Sequence, residues 1–240
     1  MIRVQIRGAE SVRAMLAAGA KQARYAAAVA LTRTAKDVQT GLQSAMQTAL
    51  PGASPYTLRG QFVQPATRDK LTARVGMKDK KPSRGTAPAT LVREHFTGGA
   101  RGYKPMEVAM AARGALPRGW HVVPGPAMPL DAYGNPKRAA VAEVLGALRT
   151  GVAIHGRRGK TAVIKGYFVV PPGAASRTGH LAPGIWRRVN RRAISPVFLF
   201  ISGTSYRKRL DLEAIADKVV RVNFDRHFAA AYRQAMATAR

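Results

Sequence analysis

The chain begins with alternation: Ile2, Val4 and Ile6 against Arg3, Gln5 and Arg7, ended by Gly8. That pattern predicts a short strand with one buried face. The period then changes. Val12, Leu16, Gly19, Ala23, Ala27, Leu31, Ala35, Val38, Leu42 and Met46 recur at steps of three and four. They predict one helix, starting at Ala9–Ser11 and running to about Leu50, where Pro51-Gly52 stops it. Its stripe is mostly alanine, which buries little area per residue but lets another helix approach closely. This helix needs a partner, either the helix at the other end of the chain or a neighbouring subunit.

Between the ends the pattern is shorter and mixed. Ser54 to Gly60 reads as a turn centred on Pro55, and Gln61–Pro65 and Leu71–Met77 as two short strands. Lys78 to Pro88 is a polar loop. Thr90–Phe96 fits either a strand or a short helix, broken by Gly98-Gly99. Tyr103–Ala115 has helical spacing through Met106 and Met110. Pro117–Pro136, rich in proline and glycine, reads as an extended loop carrying Trp120. Pro136 starts a helix to about Thr150. Ala162–Val170 and Pro196–Ser202 are strong apolar strands, and the connection between them, with a loop at Ser176–Gly184, suits an antiparallel pair. Asp211 is placed to cap a last helix to about Ala237, with Glu213 and Asp217 near its positive end.

These elements predict an α+β fold, with long N-terminal and C-terminal helices packed on a central, mainly antiparallel β-sheet. No internal repeat or boundary stands out, so residues 1–240 read as a single domain. If a lobe projects, it is a loop-rich insertion at 78–136. The Pro196–Ser202 strand leads straight into the last helix, so the two are expected to pack as one unit.

Composition sharpens this. The 240 residues are 46% hydrophobic, enough to bury a core. Forty Lys and Arg against 12 Asp and Glu give a net charge of +28. That exceeds what solubility requires and draws polyanions: nucleic acid, acidic protein or anionic lipid. The absence of cysteine excludes disulfides and thiolate chemistry. No apolar run reaches the ~18 residues of a membrane span, and the opening residues lack the apolar core of a signal peptide. The expectation is a soluble chain that works in the cytoplasm or in an assembly built there, without membrane partners.

The charge is regional. From Val144 to Leu210 there is no Asp or Glu. Within that span lie Arg157, Arg158 and Lys160, then Trp186 with Arg187, Arg188, Arg191 and Arg192, then Arg207, Lys208 and Arg209. The last two clusters bracket the apolar strand around Val197–Ile201. An arginine–tryptophan cluster suits phosphates and exposed bases, and equally a protein interface, where both residues act as anchors.

Other chemistry is absent. Gly156, Gly159, Lys160 and Thr161 echo a phosphate loop, but Ile154 stands where its first glycine belongs, and a strand rather than a helix is expected to follow. His95, His121, His155, His180 and His227 show no metal-ligand spacing. Ser195 and Ser205 lack a nucleophile-elbow setting, and Asp131 reads as a turn residue. A nuclease would need acidic metal ligands that the chain does not group. No enzyme activity and no cofactor is expected.

The segment from Ala28 to Gln43, the basic middle and the end from Phe228 to Arg240 resemble the tailed-bacteriophage minor tail protein Z, or tail-completion, family. That family's early helix has an Ala-x-Asn-Arg-(Thr/Val)-Ala core. Ala30, Arg33, Thr34 and Ala35 match it, with Thr32 where asparagine is usual. Pro55-Tyr56-Thr57-Leu58 and the run from Pro183 to Arg188 match two further short segments; 78–161 matches little. The resemblance implies a structural virion protein at the head–tail junction, not an enzyme. Its subunits would form a ring, a hexamer by preference, around the DNA channel. They would meet the tail terminator or tube on one side and neck or portal proteins on the other, with double-stranded DNA in the channel as a further contact. The alternative is a nucleic-acid-binding protein using the Arg/Trp surface.

Overall fold

A computed structural model describes residues 3–7, 21–80, 85–149, 166–173, 180–190 and 192–238. The fold is α+β, with long helices near both ends packed on antiparallel sheet. It divides into two compact units: Met1–Gly98 with Arg207–Arg240, and Gly99–Tyr206. The division falls at Gly99 and Tyr206 rather than at 78 and 136.

The first unit contains β1 (Arg3–Arg7), α1 (Lys21–Ala49), α2 (Pro55–Leu58), β2 (Gln61–Gln64), β3 (Thr72–Met77), α3 (Pro88–Thr97) and, at the far end of the chain, α6 (Leu212–Ala237). Its sheet has the order β1-β3-β2, antiparallel throughout. Residues 8–20, where the first helix was expected to start, lie outside the described residues. Ambiguous Thr90–Phe96 is helical, because Pro88 occupies the first turn, where its missing N–H costs nothing.

Alanines decide how α1 packs. Ala27, Ala30, Leu31, Ala35 and Val38 form one buried cluster with Ala73 and Val75 of β3 and with Ala216 and Phe224 of α6. The partner that the thin stripe required is therefore the C-terminal helix of the same chain. A second cluster joins Leu42 and Met46 to Met77, Val92, Phe96, Leu210 and Leu212. Asp211 caps α6 by accepting from the Ala214 N–H at 3.1 Å, as its position predicts. His227 on α6 meets Asp37 on α1 at 2.7 Å. Thr32 donates to the Ala28 carbonyl and accepts from the Ala66 N–H at 3.1 Å, tying the chain after β2 to α1. No helix among the described residues is long and apolar enough to cross a membrane.

The second unit contains β4 (Gly99–Ala100), α4 (Pro105–Ala111), β5 (Trp120–Pro124), α5 (Arg138–Arg149), β6 (Tyr167–Val170), β7 (Gly184–Arg188), β8 (Ile194–Ser202) and β9 (Ser205–Tyr206). Four strands form an antiparallel sheet in the order β5-β8-β7-β6, and β4 pairs with β9. Its core joins Met110, Leu116, Val144 and Leu148 to Val122, Tyr167, Val169, Ile185, Phe198 and Phe200.

Three expectations are corrected here. The loop at Pro117–Pro136 contains strand β5, whose His-Val-Val centre pairs with β8. Pro124 is tolerated because β5 is an edge strand. The strands expected as a direct pair are separated by β7, which carries the basic residues Arg187 and Arg188 and so does not read as apolar. Residues 162–165 of the first of those strands lie outside the described set. Finally, β8 and α6 belong to different units. The reason is β4–β9: Gly99 pairs with Tyr206 and Ala100 with Ser205, so the second unit closes its own two ends together. In the first unit the His95 carbonyl accepts from the N–H groups of Arg209 and Leu210, gathering the same two crossings of the chain.

Candidate interaction surface

Strand β7 holds the expected anchors, and its alternation separates them. Trp186 pairs with Phe168 on β6 and Pro196 on β8. Arg187 pairs with Tyr167 and Ser195, on the opposite face. The sheet reaches this geometry through a register shift between Ile185 and Trp186, which lets both Val197 and Phe198 enter the core. Gly184 is required by close approach: a Cβ there would stand 2.2 Å from the Phe198 carbonyl oxygen.

Each anchor then has its own surroundings. Trp186 is half-buried and its indole N–H donates to the Ala182 carbonyl at 3.0 Å. Arg187 lies beside the buried Tyr167, whose hydroxyl donates to Glu143 at 3.1 Å. Burial pushes the Tyr167 phenol up, and Glu143 adds to this while Arg187 opposes it. Arg187 and Glu143, the carboxylate that α5 contributes, thus meet at the Tyr167 hydroxyl. Arg188 and Arg192 are exposed. They flank the β7–β8 turn, where Asn190 accepts from the N–H groups of Arg192 and Ala193 and Val189 is 56% exposed. Arg191, Arg157, Arg158 and Lys160 lie outside the described residues.

The second basic cluster belongs to the first unit, not the second. Lys208 pairs with Asp211 at 2.6 Å. Arg209 donates to the Ala49 carbonyl at 3.4 Å, at the C-terminal end of α1, where a cation is favoured. Burial lowers the pKa of His95, and Arg209 lowers it further. Arg207 is exposed. The stretch that looks like one basic patch in sequence therefore divides between two units, and part of its charge is engaged in capping and pairing.

One group had no prior signal as a site. Glu107, fully buried, receives a bidentate pair from Arg101 at 2.6 and 2.7 Å, and the N–H groups of Lys104 and Val122 at 2.7 Å each. Burial alone pushes this carboxyl up; the Arg101 guanidinium and the two backbone donors outweigh it and hold the pKa at about 2. Four donors fill the carboxylate's lone-pair sites. It has no capacity left for a substrate or metal, so it locks the chain before α4, α4 itself and β5 together. His121 stands 3.7 Å away, and its ring centre lies 5.1 Å from that of Tyr103 in a tilted arrangement. Glu107 follows Pro105 by two residues, in the first turn of α4, where a carboxylate is favoured; nothing in the sequence indicates that Arg101 would be buried with it.

Among the described residues no three His, Asp or Glu side chains group to hold a metal. Compared with protein-family models, curated proteins and solved structures, the chain gives no match.

Proposed function

We propose that the chain is a structural subunit of a tailed-bacteriophage virion, a tail-completion or neck protein that joins tail to head. The observation that carries this reading is the charge. Forty cations face 12 carboxylates, and several of those carboxylates are already engaged internally: Glu107 with Arg101, Asp211 with Lys208, Asp79 with Arg3 and Asp37 with His227. Such an excess calls for an anionic partner outside the chain. The resemblance adds support, since its two end segments fall on α1 and α6, which pack against each other. The subunit would form a ring around the DNA channel, a hexamer by preference. It would meet the terminator or tube and the neck or portal proteins, and work in the virion without catalysis or cofactor.

The test combines mass and assembly. Native mass measurement at moderate salt should give a closed oligomer, and the chain should restore joining of purified heads to tails that lack it. A strict monomer that fails to join them refutes the reading. Trp186→Ala with Arg188→Ala and Arg192→Ala should block joining while leaving the fold intact.

A second reading, a free nucleic-acid-binding protein, draws on Trp186 and Arg188, which alternation places on one strand face. It requires affinity of the isolated chain for DNA or RNA that falls steeply with salt. It loses its site if the same three substitutions leave that affinity unchanged.

A further inference from the structure

A groove of about 560 Å³ lies in the first unit, lined by Pro55, Tyr56, Arg59, Gly60, Lys78, Lys80 and Pro88. Its floor is a forced close approach. A Cβ on Gly60 would fall 2.3 Å from Cβ of Pro88, so only glycine lets the turn after α2 meet the start of α3. The backbone fastens the same segments: the Lys78 N–H donates to Gly60 at 2.8 Å, and the Ala89 N–H to Lys78 at 3.0 Å. The Tyr56 ring forms part of the wall, held by its hydroxyl, which donates to the Thr86 carbonyl at 3.0 Å.

The rim is cationic. Arg59, Lys78 and Lys80 are exposed, and among the described residues their side chains have no hydrogen-bond or ion-pair partner. Among the described residues no carboxylate lines the groove. Asp79, the nearest in sequence, is paired with Arg3 at 3.6 Å. We infer that this groove binds an acidic peptide segment of another protein, with carboxylates on the rim and a proline or aromatic side chain against Pro55, Tyr56 and Pro88.

Charge complementarity selects that occupant. A second copy of this chain cannot supply it, because no two of its 12 carboxylates are adjacent. Asp211 and Glu213, two residues apart, lie at the start of α6, with Asp211 capping the helix. A nucleic-acid single strand is read by stacking successive bases on several aromatic rings, and here there is one ring between two prolines. Apolar walls under a charged rim instead match extended, proline-containing peptides. The site stands whether or not the chain is a virion subunit.

Fluorescence polarisation on the full chain tests it. The probe is a short fluorescein-labelled peptide of glutamates around a central Pro-Trp pair; its glutamine counterpart and a polythymidine strand of similar length are the comparisons. The acidic peptide should bind, and the glutamine peptide should not. Arg59→Glu, Lys78→Glu and Lys80→Glu together should weaken binding at least tenfold, equivalent to about 1.4 kcal/mol. An equal charge change on exposed α1 positions, Arg24→Glu, Arg33→Glu and Lys36→Glu, should weaken it less than about threefold, as screened long-range attraction would. Tyr56→Ala should weaken the Pro-Trp peptide more than a plain glutamate peptide. If the triple reversal does not fold, judged by far-UV circular dichroism, the glutamine versions of the same three positions must show the same ordering. Equal loss in the groove and α1 variants, no binding of the acidic peptide, or groove-dependent preference for polythymidine would each overturn the assignment.

Discussion

Replacing Glu107 by glutamine should destabilise the second unit by an amount that the structure sets and pH reveals. The carboxyl is held at about 2 from an ordinary value of 4.5. At 1.36 kcal/mol per pH unit this corresponds to about 3 kcal/mol of stabilisation at neutral pH. An independent route agrees. Glu107→Gln leaves the Arg101 guanidinium, 8% exposed, buried without its counter-charge, and breaking a buried pair from one side costs about 3–5 kcal/mol. Because the folded pKa lies below the unfolded one, the stabilisation is complete above pH 4.5 and disappears as pH falls toward 2. Both tryptophans of the chain, Trp120 and Trp186, belong to the second unit. Urea unfolding followed by tryptophan fluorescence therefore reads that unit directly. With a slope of about 1.5 kcal/mol per molar urea, the midpoint at pH 7 should fall by roughly 2 M, and the two proteins should converge near pH 2. A loss below about 1 kcal/mol at pH 7, or a difference that does not shrink on acidification, would refute the account of this carboxylate as the lock of α4 and β5.

Further substitutions probe packing. Gly184→Ala drives a Cβ to 2.2 Å from the Phe198 carbonyl and should cost about 2 kcal/mol or more by the same fluorescence assay; a neutral result would contradict the β7–β8 register. Gly146→Ala, on the exposed side of α5 with no atom within 4 Å of the new Cβ, should raise stability by about 0.5–1 kcal/mol, and a loss would mean that this face is covered. Phe224→Ala removes a ring, 3% exposed, from the α1–α6 cluster; thermal melts by far-UV circular dichroism should show a loss of about 3–5 kcal/mol. Thr32→Val leaves the Ala66 N–H without its acceptor and should cost about 1–2 kcal/mol in the same melts; an unchanged midpoint would refute that role.

The sequence by itself determined the two end helices and the fold class. Steps of three and four repeated along α1 constrain a long segment many times over, and the Asp211 cap with Glu213 and Asp217 marks the start of α6, so local pattern suffices. It also determined the excess of charge, because composition needs no geometry. The candidate surface was legible only as a list of residues. Whether Arg187 meets Tyr167, Lys208 pairs with Asp211, or Arg209 reaches Ala49 depends on which strand face or helix end receives each side chain. Tertiary structure alone decided the division into two units. It turns on β4 and β9, two residues each, paired across a separation of more than a hundred positions. Two residues carry no period, and a pair so distant leaves no trace in either neighbourhood. For the same reason β5 reads as a loop among prolines and glycines, and nothing in the sequence joins Arg101 to Glu107. Burying a charge becomes favourable only when folding brings its partner and its backbone donors to one place.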